Sequence, residues 1–545
     1  MKPILDANIM AAEALLNCWI REGGAFTLAQ PGCMQIPLSS KQEKLHVFYQ
    51  DQTLLGDIRL QKLPHFQGEE LQPLPLTELL VEETLFLTGA PHQRVPDWKE
   101  NLRSSVHTME KLFENLRRRT DSGKRLSFIQ SEQSLYLGHR FHPSPKSRLG
   151  FSQSDLENYS PEWGGAFPLH YFGLSENAAI LRGETGFFRK WMELTQPIFG
   201  RQQTILPVHP WQAQRALQLP EIQQALQEGS LVDLGQKGPL FSPTSSVRTL
   251  YQPDWDLFIK TSLDVRITNC FRRNLPQEME ALKYVREMLL TLFPGREHFR
   301  IMDEPLSIDT RFPVALGAIF RNGIGQEKKQ GLEPLLAGAL FGDGAFGAQR
   351  FLAHLPGANF CLEKWFRLYC QALVPPVLEA FFKYGIMFEP HLQNILVCLE
   401  KKGGITFLQR DLDNVKIVND SIAANLLAAT PQEVKNEVLV SAEAAWKRLS
   451  YCLIVNHLSE VIATLARLDS AKLEVRNREQ ELWLILREVL SNFSEHEPVR
   501  QLIDSRWLFT KMNFLTRITR ISDKEAPFSA IPNPMAAAVR TPAIA

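Results

Sequence analysis

The chain has 545 residues, of which 44% are hydrophobic and 22% are charged, as in an ordinary soluble globular protein. A chain of this length is too long for one compact hydrophobic core, so about two to four domains are expected. The 60 basic residues equal the 60 acidic residues. This balance excludes the overall positive charge that is typical of proteins binding nucleic acid or membrane surfaces.

The cysteines and the N-terminus predict a cytoplasmic protein. The seven cysteines are widely spaced without a C-x-x-C pair, which argues against a disulfide framework or a zinc ribbon and favours a reducing compartment. The N-terminal MKPILDANIMAAEALL carries Asp6 and Glu13 and lacks a basic start, so it does not resemble a signal peptide. The most apolar stretch, 335–347, is short and contains Asp343, so no membrane span is expected.

Residues 1–136 are predicted to form a mostly helical N-terminal domain. Apolar residues at helical spacing predict a helix over about the first 22 residues, which a glycine pair ends. A small hairpin follows, with strands at 45–49 and 54–60, and helical spacing returns at 76–87.

Two further domains are predicted, at 137–312 and 313–545. Short apolar runs between Pro- and Gly-rich turns predict a mixed or antiparallel sheet in the first. Helical patterns dominate the second, interrupted by one hairpin at 394–411, and residues 525–545 are expected to be a loose tail. The predicted fold class is therefore α+β.

The segment 138–151, GHRFHPSPKSRLGF, is the first candidate site. Two prolines directly after the second histidine predict an extended loop. A fixed loop with this much positive charge favours an anion site, although a purely structural loop is the alternative. A zinc site would need further ligands that the sequence does not offer. The imidazole and basic side chains are His139, Arg140, His142, Lys146 and Arg148.

The second candidate site combines the turn SSVRT (245–249) with two basic residues further along the chain. Hydroxyls beside an arginine suit a phosphate or a carboxylate. Lys260 and Arg272 then occur in a predicted strand region. Because an unpaired buried lysine is costly, either a carboxylate of the protein or an anionic ligand is expected to lie beside Lys260.

The third candidate site is the open end of the predicted hairpin, FEPHLQNILVCLEKKGGITFLQRD (388–411). If the turn centres between Lys402 and Gly403, Asn394 faces Asp411. Hard oxygen ligands placed in this way suit Mg²⁺ on a nucleotide phosphate, whereas the simpler alternative is a hairpin with solvated polar ends. Glu389, His391 and Gln393 enter from the same end, and His209 and His457 are predicted to be structural.

These segments together resemble the IucA/IucC-type siderophore synthetases, the aerobactin synthetase-like enzymes that work independently of nonribosomal peptide assembly lines. The motifs that carry the resemblance are GHRFHPSPKSRLGF, LPVHPWQ, PTSSVRTL, the stretch from Lys260 to Arg272, and EPHLQN followed by RD. They occur in the order and spacing of that family, from the N-terminal helix to beyond residue 450.

The resemblance implies a dimeric, ATP- and Mg²⁺-dependent ligase with a three-part cradle: a helical thumb (1–136), β-rich fingers (137–312) and a palm (313–545). A carboxylate, typically of citrate or a citryl derivative, would be adenylated and then condensed with an amine, a hydroxylamine or an alcohol. The small-molecule partners implied are thus citrate and an amine, with no nucleic acid and no membrane.

The resemblance also implies roles for individual residues. Ser246, Arg248, Thr249 and Lys260 would bind ATP, and Arg272 would lie alongside as a catalytic and substrate-binding residue. His142 and Lys146 would lie over the reacting centre. The remaining residues belong to the hairpin end: Glu389 for substrate, His391 for catalysis and substrate, Gln393, Asn394 and Arg410 for the nucleotide, and Asp411 with Asn394 for Mg²⁺.

Three features leave alternatives open. Many relatives read EAHGQN where this chain has EPHLQN, and a proline often replaces Arg140, so the substrate is undetermined. Either Arg272 or Arg273 could face the ligand. A small-molecule kinase and a non-catalytic carboxylate-binding protein are the rival functions, but no Gly-rich loop supports the kinase.

Overall fold

The structure is a computed structural model. It describes residues 5–89, 97–118, 125–200, 203–267, 270–355, 361–400, 403–468, 475–519, 521 and 526–536.

The N-terminal part packs helices against a small antiparallel sheet. Its helices are α1 (Ala7–Arg21), α2 (Pro73–Thr88), α3 (Asp97–Arg118) and α4 (Phe128–Glu132), and its strands are β1 (Thr27–Gln30), β2 (Cys33–Leu38), β3 (Glu43–Gln52), β4 (Ile58–Leu60), β5 (His65–Phe66) and β6 (Glu69–Glu70). The predicted hairpin is confirmed as β3 and β4, which pair Tyr49 with Leu60. It belongs to a larger sheet of order β1-β2-β3-β5-β6.

Helix α1 begins where the Asp6 side chain accepts hydrogen bonds from the amides of Asn8 and Ile9. This N-cap satisfies backbone donors that have no partner inside the helix. Leu15 and Leu16 on the inner face of the helix are fully buried, so the helix is fixed by the apolar core beneath it.

The middle part is an antiparallel sheet of order β8-β16-β17-β12-β11-β10-β7-β9. Its strands are β7 (Phe167–Leu174), β8 (Ala179–Gly183), β9 (Thr204–Val208), β10 (Leu231–Pro243), β11 (Thr249–Gln252), β12 (Leu257–Thr261), β16 (Leu306–Thr310) and β17 (Ala318–Asn322). The strands β13 (Leu263–Ile267) and β14 (Cys270–Arg272) form a separate hairpin, and the helices are α5 (Gln153–Tyr159), α6 (Thr185–Phe199), α7 (Pro210–Ala216), α8 (Pro220–Gln227) and α9 (Pro276–Leu292). The predicted boundary at residue 312 falls between β16 and β17, which are paired, and the domain boundaries stay predictions.

The C-terminal part is mostly helical around a sheet of order β15-β21-β20-β18. Its strands are β15 (Phe299–Ile301), β18 (Pro334–Leu336), β19 (Ile386–Met387), β20 (Ile395–Leu399), β21 (Ile405–Gln409), β22 (Lys416–Val418), β23 (Leu439–Val440), β24 (Trp507–Lys511) and β25 (Phe528–Pro532). Its helices are α10 (Gly325–Lys329), α11 (Ala337–Phe341), α12 (Gly344–His354), α13 (Leu362–Glu379), α14 (Ile422–Leu426), α15 (Gln432–Val438), α16 (Ala442–Ser450), α17 (Ser459–Leu468), α18 (Val475–Ser491), α19 (Glu497–Asp504) and α20 (Asn513–Thr519). The α+β class is confirmed.

An apolar cluster joins the middle and C-terminal sheets. Phe128 of α4 packs edge-on against Tyr251 and Phe258, with ring centroids 5.2 and 5.7 Å apart. Leu396 and Leu408 of the β20–β21 hairpin belong to the same buried cluster. The strands that carry the second and third candidate sites are therefore held together by a shared core.

The expectation of a loose C-terminal tail is wrong for its first half. Residues 528–532 form β25, which pairs with β24 in antiparallel register. Ile531 and Met535 are buried, so burial and strand pairing fix this segment despite its prolines. Residues 537–545 lie outside the described part of the chain.

Among the residues that the structure describes, one helix, Ala442–Leu468, is long and apolar enough to cross a membrane by length and composition alone. Of its apolar window, 89% is buried inside the protein, which is typical of a core helix. The segment Tyr451–Leu458 within it is a π-helix.

We predict that Leu169→Ala lowers the free energy of unfolding by about 2–5 kcal/mol, because Leu169 of β7 is fully buried and its truncation leaves a cavity. Urea unfolding measures the change. Leu240→Ala on the neighbouring strand β10 is the control, because Leu240 is 58% exposed and its truncation should cost less than about 0.5 kcal/mol. Equal losses for the two variants would contradict the described core.

Candidate functional site

The second and third candidate sites meet at one place. The turn 244–249 connects β10 to β11, and Thr249 at the start of β11 lies opposite Lys260 of β12. The end of the β20–β21 hairpin supplies Asp411 to the same place. The structure thus brings together motifs that are more than 150 residues apart in the chain.

Lys260 is the centre of this site. Its ammonium donates to Asp411 Oδ1 at 2.5 Å and to Asp413 Oδ2 at 2.7 Å. Burial opposes the charged form, but the two carboxylates raise the pKa of Lys260 above its usual value. The sequence predicted either a carboxylate of the protein or an anionic ligand beside Lys260, and the structure shows two carboxylates of the protein.

A second cation reinforces the same carboxylate. Arg321 of β17 donates through Nη2 to Asp411 Oδ1 at 3.1 Å and through Nε to Glu304 Oε1 at 2.8 Å. Burial works against the charged form of Asp411, yet Lys260 and Arg321 hold the pKa of that carboxyl well below its usual range. The sequence analysis missed Asp413, Glu304 and Arg321. Only Asp413 had a signal, as the second acid of the RDLD run.

Two residues of the site have a left-handed backbone. Asp411 has φ 75° and ψ 68°, and Val247, between Ser246 and Arg248, has φ 67°. This conformation is uncommon for residues with a Cβ, and for a β-branched residue it is a real outlier. Such strain costs on the order of 1–3 kcal/mol per residue and concentrates at functional sites.

The predicted register of the hairpin is wrong by one residue. Ile395 faces Gln409, so Asn394 lies beside Arg410 and not beside Asp411; the Arg410 amide donates to the Asn394 carbonyl at 3.0 Å. The strands close over a five-residue connection, in which Gly403 has a left-handed φ of 88°. Lys401 and Lys402, predicted to form the turn, lie outside the described residues.

The predicted phosphate turn is internally bonded. Ser246 Oγ donates to Thr249 Oγ1 at 2.7 Å, and the Thr249 amide donates to Ser246 Oγ at 3.1 Å. Arg248 donates to Asn274 Oδ1 at 2.6 Å and to the Arg272 carbonyl at 3.1 Å. The turn therefore presents its hydroxyls and guanidinium in a fixed arrangement.

Arg272 and Arg273 are distinguished by their surroundings. Arg272 is half-buried and interacts electrostatically with Arg248. Arg273 is exposed and forms an ion pair with Asp264. These surroundings favour Arg272 as the arginine on the side of the candidate site.

In the loop 138–151, the buried cations contact carboxylates of the protein. Lys146 bonds to Glu162 and to the Leu135 carbonyl, and Arg148 lies 3.4 Å from Glu162. Burial lowers the pKa of the Lys146 ammonium despite the adjacent Glu162. Arg140 bonds to Glu460 at 3.0 Å, so the loop is anchored to helix α17 of the C-terminal part.

Imidazoles of the loop lie near the hairpin end. Burial lowers the pKa of His139 to about 3, and the nearby His142 and His391 contribute to the shift. Desolvation also lowers the pKa of His391 below its ordinary value. His142 is buried and its Nδ1 accepts from the Ser144 amide at 3.1 Å. The lowered pKa favours the neutral form of His391, whose Nδ1 accepts from the Gln393 amide at 3.3 Å.

His457 supports the hairpin end from behind. Its Nδ1 lies 2.7 Å from the Pro390 carbonyl and its Nε2 lies 2.6 Å from the Tyr369 hydroxyl. These partners assign the proton to Nδ1, so that Nε2 accepts from Tyr369. The prediction of a structural histidine fits this placement, next to the Glu389–His391 segment. Glu389 itself forms an ion pair with Arg448.

Family models match two parts of the chain. Residues 127–342 match the IucA / IucC family, and residues 363–525 match a model described as "Ferric iron reductase FhuF-like transporter". Within the described residues, the first match spans α4, the middle sheet and α11, and the second begins in α13 and extends past α20.

Curated relatives and solved structures extend the similarity. The N(2)-citryl-N(6)-acetyl-N(6)-hydroxylysine synthase of Escherichia coli is 27% identical over 93% of both chains. The L-2,3-diaminopropanoate–citrate ligase of Staphylococcus aureus is 27% identical over 75% of this chain and 74% of its own. The ATP-bound aerobactin synthetase IucA of Klebsiella pneumoniae has the same fold, with a TM-score of 0.82, 23% identity and coverage of 97% and 99%.

The fold and these relatives define the chain as an enzyme of the ligase class. Residues 127–342 match the IucA/IucC family, the family that the sequence motifs resemble.

We predict that Lys260→Met lowers the free energy of unfolding by about 1–3 kcal/mol, because the variant leaves two partly buried carboxylates without their ammonium partner while Arg321 still bonds to Asp411. Urea unfolding in a metal-free buffer measures the change. Lys383→Met is the control, since the Lys383 side chain is 59% exposed and its ion pair with Glu379 lies in water, so its loss should leave the stability nearly unchanged. A Lys260→Met variant as stable as the control would contradict this description of the site.

Proposed function

We propose that the protein is an ATP-dependent siderophore synthetase. It adenylates a carboxylate of citrate, or of a citryl derivative, and condenses the adenylate with an amine, hydroxylamine or alcohol, with release of AMP and pyrophosphate. The observation that carries the proposal is the contact of Lys260 with Asp411 and Asp413, which joins the SSVRT side of the site to the hairpin end.

The relatives support citrate as the activated acid. Their names pair citrate with three different nucleophiles: diaminopropanoate, spermidine and an acetylated hydroxylysine. The shared component is citrate, whereas the amine differs between relatives. The nature of the amine is therefore left open in the proposal.

Positive charge in the site serves the first half-reaction. A carboxylate and ATP are both anions, so bringing them together requires cations that offset their repulsion and stabilise the charge on the phosphorus. Ser246, Arg248, Thr249 and Lys260 would bind the phosphates, with Arg272 beside them. Asn394, Gln393 and Arg410 would line the nucleotide side.

Asp411 fits a Mg²⁺ ion that accompanies ATP. Magnesium is bound through one or two carboxylates together with substrate phosphates, and Asp411 and Asp413 both reach the same ammonium. Among the described residues, no group of three or more His, Cys, Asp or Glu side chains could hold a metal by itself. Two carboxylates, those of Asp411 and Asp413, are consistent with a metal that arrives with the nucleotide. Asn394 lies beside Arg410 and not beside Asp411, and its side-chain amide would contribute an oxygen to the Mg²⁺ site.

Magnesium, when bound, would neutralise phosphate charge. Asp411 and Asp413 would hold the ion, and Lys260 would bind phosphate oxygens. Arg321 and Glu304 would keep Asp411 in place.

The histidines serve the second half-reaction. The incoming amine must lose a proton as it attacks the adenylate, and a neutral His391 can accept that proton. His142 and Lys146 would close over the reacting centre, and Glu389 would contact the substrate.

We also propose a cytoplasmic homodimer without nucleic-acid or membrane partners. The cysteines whose side chains the structure describes are free, which supports a reducing compartment. Light scattering on the purified protein tests the dimer, and a monomeric mass would contradict it.

The function is tested by identifying the nucleotide product after incubation with ATP, Mg²⁺, citrate and hydroxylamine. We expect AMP and pyrophosphate, and we expect Arg248→Ala to lower their formation by about 10²-fold or more through loss of phosphate stabilisation. Arg189→Ala, at an exposed position on α6, is the control and should keep wild-type activity. Formation of ADP would favour a small-molecule kinase, and full activity of Arg248→Ala would contradict the site.

A second prediction separates the two half-reactions. His391→Gln should reduce amide formation about 10²–10⁴-fold, while citrate-dependent exchange of pyrophosphate into ATP changes little, because only the second step needs a base. His107→Gln, exposed on α3, is the control. Equal loss of both half-reactions in His391→Gln would contradict the assignment of His391 as the base.

A further inference from the structure

Glu132, which no motif of the sequence indicated, lies at the centre of a buried network beside the proposed nucleotide site. It is the last residue of α4 and is completely buried. The helix is fixed at its other end, because Ser127 and Gln130 form a capping box and Phe128 packs edge-on against Tyr251 and Phe258. The carboxylate of Glu132 is therefore held in a defined position.

The carboxylate of Glu132 bonds to both candidate motifs. Its Oε2 accepts from the amide and the hydroxyl of Ser245, at 3.2 and 3.0 Å. Its Oε1 accepts from Arg410 Nη1 at 2.6 Å. One side chain of α4 thus holds the SSVRT turn on one side and the hairpin end on the other.

Further hydrogen bonds close the network into a ring. Arg410 Nη2 donates to the Gln393 carbonyl at 2.7 Å, and Gln393 Nε2 donates to the Ser245 carbonyl at 3.0 Å. The three segments are far apart in the chain, with Glu132 and Arg410 separated by 278 residues. The spacing between the turn and the hairpin end therefore depends on Glu132 and its partners.

We propose that Glu132 is a positioning residue that sets the distance between the phosphate-binding turn and the hairpin end. This inference rests on the proposed function, since it requires both segments to bind ATP. Arg410 and Gln393 hold the network together from the hairpin side, through the guanidinium and the amide that bond to Glu132 and Ser245. A displacement of about 1 Å in such a site is enough to change substrate binding or rate about 100-fold.

The first test compares Glu132→Gln with the wild type in ATP, citrate and hydroxylamine. The glutamine keeps an acceptor for Ser245 but loses the charge that Arg410 requires. We expect the KM for ATP to rise about tenfold or more, because the turn and the hairpin end are no longer held in register, while the KM for hydroxylamine changes less than about twofold. If kcat alone falls, with both KM values unchanged, Glu132 does not affect ATP binding and the proposal is overturned.

Glu83→Gln is the matched control. Glu83 is also buried and accepts from two backbone amides, those of Ser39 and Ser40, but it belongs to the N-terminal sheet region. We expect this variant to lose stability and keep the wild-type KM for ATP. An equal rise of that KM in Glu83→Gln would overturn a specific role of Glu132.

Direct titration of the wild type with ATP keeps the two proposals distinguishable. Absence of ATP binding by the wild type would contradict the proposed function. Wild-type binding of ATP with an unchanged dissociation constant in Glu132→Gln would contradict only the role of Glu132.

Discussion

The buried ammonium of Lys260 is the constraint on which the rest of the site depends. A charged lysine inside a protein is tolerated only when it is paired with carboxylates. Lys260 Nζ donates to Asp411 Oδ1 at 2.5 Å and to Asp413 Oδ2 at 2.7 Å. Lys260 belongs to the middle sheet and both carboxylates to the C-terminal part, so this contact, together with the shared apolar cluster, fixes how the two parts meet. The left-handed backbone of Asp411 is the local cost of presenting its carboxylate there.

Other buried ion pairs follow the same pattern, in which a basic residue of one segment bonds to a carboxylate of another. These pairs are Arg321 with Glu304, Arg410 with Glu132 and Lys146 with Glu162. An anionic substrate entering such a site meets cations that are already oriented, so little reorganisation is needed when it replaces a protein carboxylate. Neutral imidazoles at the edge of the site add a group that can accept a proton.

The sequence predicted the strands of this site better than the side-chain contacts between them. The hairpin strands at 395–399 and 405–409 follow from an apolar run on each side of a glycine-rich turn, yet the register slipped because the connection contains five residues. The sequence singled out Lys260, Arg248 and Asp411 as candidates, and the structure brings Lys260 into contact with Asp411. Glu132, Glu304 and Arg321 could not be found in this way, since their roles depend on contacts between distant segments, such as the 278 residues between Glu132 and Arg410.

The central claim is that a carboxylate oxygen of citrate attacks the α-phosphorus of ATP. Citrate labelled with ¹⁸O in its carboxylates tests this most directly, because the attacking oxygen remains on the nucleotide when the amine displaces it. After one complete turnover with hydroxylamine and Mg-ATP, mass spectrometry should find one ¹⁸O atom in each AMP molecule. Label in inorganic phosphate instead, with unlabelled nucleotide, would show attack on the γ-phosphorus and contradict the account.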